Sequence, residues 1–359
     1  MFVLSGPYNS SFLGKSLRNL NECVLAIDNT HIPFKNSYSI NNISDYEIDG
    51  INISTKILTS LEDALPFLYK HYEHNDSIKA AQIFKNKNLF KKLFDSNPKF
   101  DYALLNSVLI SEPVIYKFPV NKIAKPNSGI SSLGIVKLNK LTNPVIIPAS
   151  KEKPYLIEDI FEGKEYAVDG YYDEYGTPII LNIMHHLFSS IDETDISDTL
   201  YYTNMDILNQ QTLNARKMLN DIRDSMFDIH KIQLKNFPFH FEYRVNELGV
   251  QHPIELNPLR FSGYGTCEIA HYAYNINPYK CYFKSINPKW SEKRNHMKHD
   301  YKSYYGFYFG KNLNIKNVSK TFEEILEIRL IPNSEDYIIF FRETNKDRLQ
   351  VLADTKGII

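Results

Sequence analysis

Two β-prone stretches, Phe239-His-Phe-Glu-Tyr-Arg244 and Pro253-Ile-Glu-Leu-Asn-Pro258, constrain this chain more than any other feature. They sit inside longer runs, Phe237 to Val245 and Val250 to Leu256, joined by Asn246-Glu-Leu-Gly249, which has the composition of a hairpin turn. Side chains alternate along a strand, so Glu255 and Asn257 share one face. A tight hairpin brings Glu242 of the neighbouring strand beside them. Three oxygen donors then converge. Magnesium favours oxygen ligands and takes one or two carboxylates, leaving positions for water and phosphate. The other reading of the same hairpin is an exposed acidic sheet face, which needs no ligand.

A second constraint lies upstream. Lys125-Pro-Asn-Ser-Gly-Ile-Ser-Ser-Leu-Gly134 separates two short apolar runs between Ile123 and Leu138, a pattern of strand, flexible polar turn and strand. Its glycines and serines give a backbone able to approach phosphate oxygens, and Lys125 adds a positive charge. Lys87 opens Lys87-Asn-Leu-Phe-Lys-Lys-Leu-Phe94, in which Leu89, Phe90, Leu93 and Phe94 share one helical face. Lys87 is a second candidate for the same phosphates, although a helix-surface lysine and a Lys-Pro turn are each also ordinary solvated features.

Between these motifs, Ile157-Glu-Asp-Ile-Phe-Glu-Gly-Lys-Glu-Tyr166 reads as a strand carrying Glu158, a turn at Gly163 and a second strand beginning near Glu165. A strand end exposes backbone N–H and C=O groups suited to a planar base, and a carboxylate a few residues on can accept two ribose hydroxyls. A Glu-rich surface hairpin would look the same locally. Tyr155 to Tyr171 and Thr177 to Met184 are β-prone stretches around the turn Asp173-Glu-Tyr-Gly176, and residues 204 to 234 show helical spacing.

The remainder sets bounds. At 359 residues and 43% hydrophobic, the chain can bury several subdomain cores. Forty-one basic residues against 42 acidic ones leave a formal charge of -1, which gives no global field for nucleic acid or anionic membrane, so a small-molecule partner is expected. There is no export signal at the start and no membrane-length apolar run, and Cys23, Cys267 and Cys281 lack metal-site spacing; a cytoplasmic protein is expected. The first 80 residues read as a small α/β layer with strands Phe2 to Leu4 and Cys23 to Ile27 and a helix Leu58 to Tyr72. The last 80 end in a strand-like run, Tyr337 to Phe341, without a chemical motif.

Taken in order, the motifs resemble the ATP-grasp superfamily, over about residues 80 to 265. The lysine-proline loop of the D-alanine:D-alanine ligases ends in Ser-Ser-x-Gly, matched in register by Ser131, Ser132 and Gly134. The resemblance implies Lys125 and Lys87 on the nucleotide phosphates, Glu158 at the adenine hinge with Ile160 and Phe161, and Glu165 on the ribose. The seven-residue step from Glu158 to Glu165 agrees with that family, as does the thirteen-residue step from Glu242 to Glu255. Glu242, Glu255 and Asn257 are similar to the family's metal ligands, with glutamate at 242 where those ligases have aspartate. Biotin carboxylases and carbamoyl-phosphate synthetases place an arginine shortly after the metal asparagine, and Arg260 is similar though one position later. The run from Glu255 to Phe261 also resembles a group of stand-alone ATP-grasp proteins with a Glu-x-Asn-Pro-Leu-Arg-Phe signature.

The resemblance implies an α/β (α+β) ATP-grasp fold with ATP between two subdomains that contain antiparallel sheets. The expected division is 1–82 as an N-terminal α/β domain, 83–165 as the central subdomain, 166–280 as the C-terminal subdomain and 281–359 as an extension packed on the core. ATP is the expected cosubstrate, with magnesium, or manganese in its place. The expected activity is a carboxylate–amine ligase in which Arg260 steadies the transferred phosphoryl group and Arg244 meets a substrate carboxylate or pairs with a neighbouring acid. A phosphotransferase and a nucleotide-binding protein without turnover are the alternatives. His185 or His186 is a candidate for acid–base work, His240 reads as sheet packing, and Asp195 to Thr203 is placed as an acceptor loop. Oligomeric state is left open, with a homodimer as the alternative to a monomer.

Overall fold

The computed structural model describes residues 2–4, 24–26, 37–39, 55–59, 65–95, 102, 105–129, 134–189, 200–290, 302–311, 313–331 and 334–355. Near the N-terminus, β1 (Phe2–Leu4) pairs with β4 (Ile57–Thr59), and β2 (Val24–Ala26) pairs with β3 (Ser37–Ser39), both parallel. Among the described residues of the helix expected over Leu58 to Tyr72, α1 (Leu65–His71) is helical, whereas Leu58 and Thr59 belong to β4. Ile57 and Leu58 are buried, and β4 is anchored where Thr59 N–H donates to Leu259 O at 2.6 Å. Strand pairing at a buried site overrides helical spacing there.

Helix α2 (Asp76–Lys85) begins at Asn75, whose side chain accepts from Ser77 N–H and Ile78 N–H. Helix α3 (Lys87–Asp95) buries Phe90, Leu93 and Phe94, as the apolar spacing requires, with Leu89 half-buried. Its start is tied to the lysine-proline turn, because Lys87 N–H donates to Asn127 O at 2.9 Å and Asn88 N–H to Asn127 Oδ1 at 3.0 Å.

The middle of the chain supplies β5 (Ser107–Ile110), β6 (Val114–Tyr116), β7 (Lys122–Pro126), β8 (Val136–Lys137), β9 (Val145–Ile147) and β10 (Tyr155–Asp159). Four of them form an antiparallel sheet in the order β5-β10-β7-β8, and β6 pairs with β9. The β-prone stretch from Tyr155 to Tyr171 is broken after Asp159, and the chain leaves this sheet for a larger one. Gly163 sits at that crossing because a Cβ there would meet Val245 O at 2.6 Å, closer than any side chain tolerates.

The larger sheet is antiparallel, in the order β15-β14-β11-β12-β13-β16-β18-β17. Its strands are β11 (Lys164–Tyr172), β12 (Pro178–Leu187), β13 (Leu200–Thr203), β14 (Phe237–Val245), β15 (Gln251–Pro258), β16 (Tyr304–Lys311), β17 (Glu324–Leu330) and β18 (Asp336–Glu343). Both expected hairpins form, β11–β12 and β14–β15. Residues beyond 280 do more than pack on a finished core: β13 pairs with β16, so three of the eight strands come from this part of the chain. Helix α4 (Met205–His230) buries Leu208, Ala215, Met218 and Ile222 against the sheet. Short helices α5 (Ile269–Tyr274), α6 (Pro278–Phe283) and α7 (Ile315–Thr321) follow, and α8 (Lys346–Asp354) closes the described chain. No helix of the described residues is long and apolar enough to cross a membrane.

Candidate active site

The hairpin of β14 and β15 sets one edge of the large sheet. Pro253 and Pro258 are tolerated in β15 because an edge strand needs only one side of its backbone paired. The register shifts between Glu242 and Tyr243, so that Glu255 lies directly opposite Glu242 and Pro253 opposite Tyr243. A bulge of this kind re-aims side chains beside a site. The two acids therefore face each other across the strands, and Asn257 lies opposite His240.

The same face continues across β11 and β12 in ordered rows. Arg244, Glu165 and His186 form one row, Glu242, Ala167 and Met184 the next, and His240, Asp169 and Asn182 a third. In the first row Glu165 accepts from Arg244 Nε at 2.9 Å and lies 2.9 Å from His186 Nδ1. Burial opposes the charge on Glu165, but the hydrogen bond from His186 and the Arg244 guanidinium prevail and hold its carboxyl at about 2. Arg244 also donates to Phe161 O at 3.0 Å, which ties the large sheet to the inter-sheet crossing. Of the two roles weighed for Arg244, the salt bridge with a neighbouring acid is present.

In the third row His240 lies 3.0 Å from Asp169 Oδ1 through Nδ1 and 2.9 Å from Glu242 Oε1 through Nε2. Burial lowers the affinity of an imidazole for a proton, yet hydrogen bonds to Asp169 and then Glu242 outweigh it and raise His240 to about 9. As an imidazolium it can donate to both carboxylates. Asp169, fully buried, also accepts from Ser262 N–H and Oγ at 2.7 Å each. His240 is therefore a charged link between the loop after β15 and the acid pair, where the sequence reading assigned it only packing. Its signal was positional, since it lies two residues from Glu242 on the same face.

Lysines from α2, α3 and β7 face the acids. Lys87 Nζ lies 2.9 Å from Glu255 Oε2, and Lys125 Nζ pairs with Glu158 Oε1. Lys85, which the sequence reading passed over, donates to Asn257 Oδ1 and to Gly129 O, both at 3.2 Å, while Asn257 Nδ2 donates to Glu255 Oε1 at 2.8 Å. Burial raises the Glu255 carboxyl, but Lys87 and then Lys85 pull it well below the usual range. Glu242 moves the other way, raised by burial and by the Glu255 charge against the opposing pull of His240. Two adjacent carboxylates thus repel, and each is neutralised by a different protein cation.

Lys87, Lys125, Glu158, Glu165, Glu242 and Glu255 all line a cleft of about 390 Å³ between the two sheets. Ile160, Phe161, Lys137 and Arg244 line it too, and the Phe161 ring lies 5.2 Å from that of His252. Gly134, at the end of the lysine-proline loop, has φ of +78°, and a Cβ there would approach Pro126 Cγ and Tyr155 Oη to 3.1 Å. Ser131, Ser132 and residues 195–199 of the segment placed as an acceptor loop, Asp195 to Thr203, lie outside the described residues, and its remainder, Leu200–Thr203, is the buried strand β13. Arg260 is not among the residues lining the cleft. It follows Leu259, whose backbone is left-handed at φ of 58°, and donates to Phe261 O at 3.1 Å. His185 lies on the opposite face of the sheet from His186, away from the acid pair.

Residues 117–268 match the family model of the ATP-grasp domain. No curated protein matches the sequence. Among solved structures, the fold is similar to an L-amino acid ligase from Bacillus licheniformis, with a TM-score of 0.64 and 14% identity over 99% of this chain and 96% of that one. A phosphoribosylglycinamide synthetase from Anaerococcus prevotii gives a TM-score of 0.57 and 15% identity, covering 99% and 98% of the two chains. An N5-carboxyaminoimidazole synthetase from Staphylococcus aureus, solved with ADP, gives 0.58 and 11%, covering 98% and 95%. At such identities the likeness establishes the fold.

Proposed function

We propose that this chain, whose residues 117–268 form an ATP-grasp domain, is an ATP-dependent ligase that activates a carboxylate for attack by an amine. The observation that carries the reading is the placement of Glu242 and Glu255 opposite each other in the same cleft as Lys87 and Lys125. A polyphosphate needs positive charge from the protein on one side and a bridging cation on the other, and this cleft offers residues for both.

A divalent cation fits the donors present. Burial first and then the Glu255 charge raise the Glu242 carboxyl, and a cation held by these acids would offset that repulsion. Among the described residues no group of three or more His, Cys, Asp or Glu side chains is arranged to hold a metal ion by itself. Glu242 and Glu255, with the Asn257 carboxamide, would therefore supply a minority of the ligands, a pattern that suits magnesium, whose remaining positions go to phosphate and water. The cation, when bound, neutralises charge on the polyphosphate. Lys87, now paired with Glu255, and Lys125, now paired with Glu158, would supply positive charge to the phosphates. Ile160 and Phe161 offer backbone edges to the adenine, beside Glu158. Glu165, held ionised by His186 and Arg244, would accept ribose hydroxyls. Ser131, Ser132 and Gly134 would close the loop on the phosphates.

In the proposed reaction a substrate carboxylate oxygen forms a bond to the γ-phosphorus while the bond to the β–γ bridging oxygen breaks, releasing ADP. The amine nitrogen then attacks the acyl carbon, phosphate leaves, and the nitrogen gives up a proton. The protein's part is positioning and charge stabilisation. Arg260 is assigned to the phosphoryl group by the resemblance, which requires it to swing from Phe261 O into the cleft on substrate binding. The test is release of ADP and inorganic phosphate from Mg-ATP against pools of amino acids and small carboxylic acids, with Glu255→Gln as control. Equimolar ADP and phosphate that need two acceptors support a ligase, whereas ADP without phosphate replaces it with a phosphotransferase.

A further inference from the structure

A cavity of about 460 Å³ lies on the other face of the large sheet, behind the cleft. Its floor is aromatic and comes from four successive strands: Tyr166 of β11, His185 of β12, Tyr202 of β13 and Tyr304 of β16. Neighbouring ring centroids are 5.3, 5.1 and 5.8 Å apart along that series. His185 Nδ1 and Tyr202 Oη are 2.7 Å apart, and burial, with the nearby His186 charge, lowers His185 to about 3, so the floor carries no charge at neutral pH. Tyr166 is 8% exposed, and its ring lines the cavity.

The rim is charged in both senses. Lys164 and Lys346 line it with Asp206 and Asp347, and none of the four side chains makes an ion pair or hydrogen bond among the described residues. Helices α4 and α8 both begin here, so their N-terminal dipoles add partial positive charge. Leu187, Ile207 and Leu349 also line the cavity, between the polar-tipped rings below and the charged side chains above. Flat rings at this spacing accept another planar group by stacking. Two cations and two anions around one opening suit a ligand that carries both charges. The volume falls in the range of small-molecule sites, roughly 300–1,000 Å³.

We infer that this back-face cavity binds a small zwitterion with an aromatic side group, the class of the aromatic α-amino acids, separately from the nucleotide cleft. The carboxylate meets Lys164 and Lys346, the ammonium meets Asp206 and Asp347, and the ring lies over Tyr166 and His185. The inference does not depend on the ligase reading. Calorimetric titration of the full chain with L-phenylalanine, L-tyrosine and L-tryptophan tests it, with phenylacetate and phenethylamine as probes lacking one charge each. At least one amino acid is expected to bind saturably and more tightly than either single-charge probe. Lys164→Ala/Lys346→Ala, at two exposed positions, should weaken that binding by roughly tenfold or more, the effect of losing charged hydrogen bonds, while Glu255→Gln leaves it unchanged. Absence of binding by all three amino acids overturns the inference. So does equal binding by the double-lysine variant, or binding lost in Glu255→Gln but kept in that variant, which would put the ligand in the cleft.

Discussion

Glu165→Gln isolates the electrostatics that hold the front face of the large sheet together. The Glu165 carboxyl lies at about 2 instead of an ordinary 4.5, because His186 and Arg244 together outweigh the cost of burying it. A shift of that size corresponds to roughly 3 kcal/mol of stability at neutral pH, at about 1.4 kcal/mol per unit. Glu165 is 8% exposed, so solvent screening removes little of this. Since the folded value is depressed, the stabilisation is fully present above about pH 4.5. It declines as the unfolded chain takes up the proton first, and is gone near pH 2. The glutamine variant also leaves Arg244 facing a neutral partner, and breaking a buried ion pair on one side typically costs about 3–5 kcal/mol. Urea unfolding of wild type and variant, followed by far-UV circular dichroism at pH 7 and pH 3.5, measures the difference directly. We expect a gap of roughly 3 kcal/mol at pH 7 that narrows at pH 3.5. A gap below about 1 kcal/mol at pH 7, the size of an exposed pair, or one that does not change with pH, would refute the reasoning.

Three further outcomes follow from the site. Gly134→Ala forces an L side chain into a left-handed backbone against Pro126 and Tyr155, and should cost about 1–2 kcal/mol, with weaker ADP binding in a fluorescence titration. His240→Gln removes the charge that bridges Asp169 and Glu242, so thermal unfolding should show a loss in the range of about 3–5 kcal/mol, compared with little change for the exposed Lys164→Ala. Arg260→Ala should lower turnover on the order of 10²-fold with ADP affinity retained, as expected for a group that acts on the transition state; near-normal turnover would remove Arg260 from the mechanism.

The parts of the fold written in local pattern were legible in the sequence. The β14–β15 and β11–β12 hairpins announce themselves through alternation and through the turns Asn246 to Gly249 and Asp173 to Gly176. The long helix α4 follows from the apolar spacing over residues 204 to 234. What failed were features decided by distant partners. Leu58 looks helical in sequence, yet it is a strand residue because Val3 pairs with it. Nothing in Tyr304 to Lys311 signals that Leu200 to Thr203 will be its neighbour, so the last 80 residues could not be assigned to the large sheet in advance. The same division holds at the site. Lys87, Lys125, Glu158, Glu165, Glu242 and Glu255, singled out by motif, line one cleft, while Arg260 does not. Lys85 had no motif to mark it, and its contact with Asn257 exists only once β15 and α2 are assembled, whereas His240 was marked only by its place two residues before Glu242 on one strand face.

The central claim is that the acid pair serves ATP-driven ligation, and acceptor-dependent release of ADP and phosphate from Mg-ATP by wild type and Glu255→Gln tests it most directly. Equimolar ADP and phosphate, dependent on both a carboxylate and an amine and lost in the variant, is the predicted result. Release that is the same in Glu255→Gln, or ADP formed while the phosphate stays on an acceptor, would contradict it.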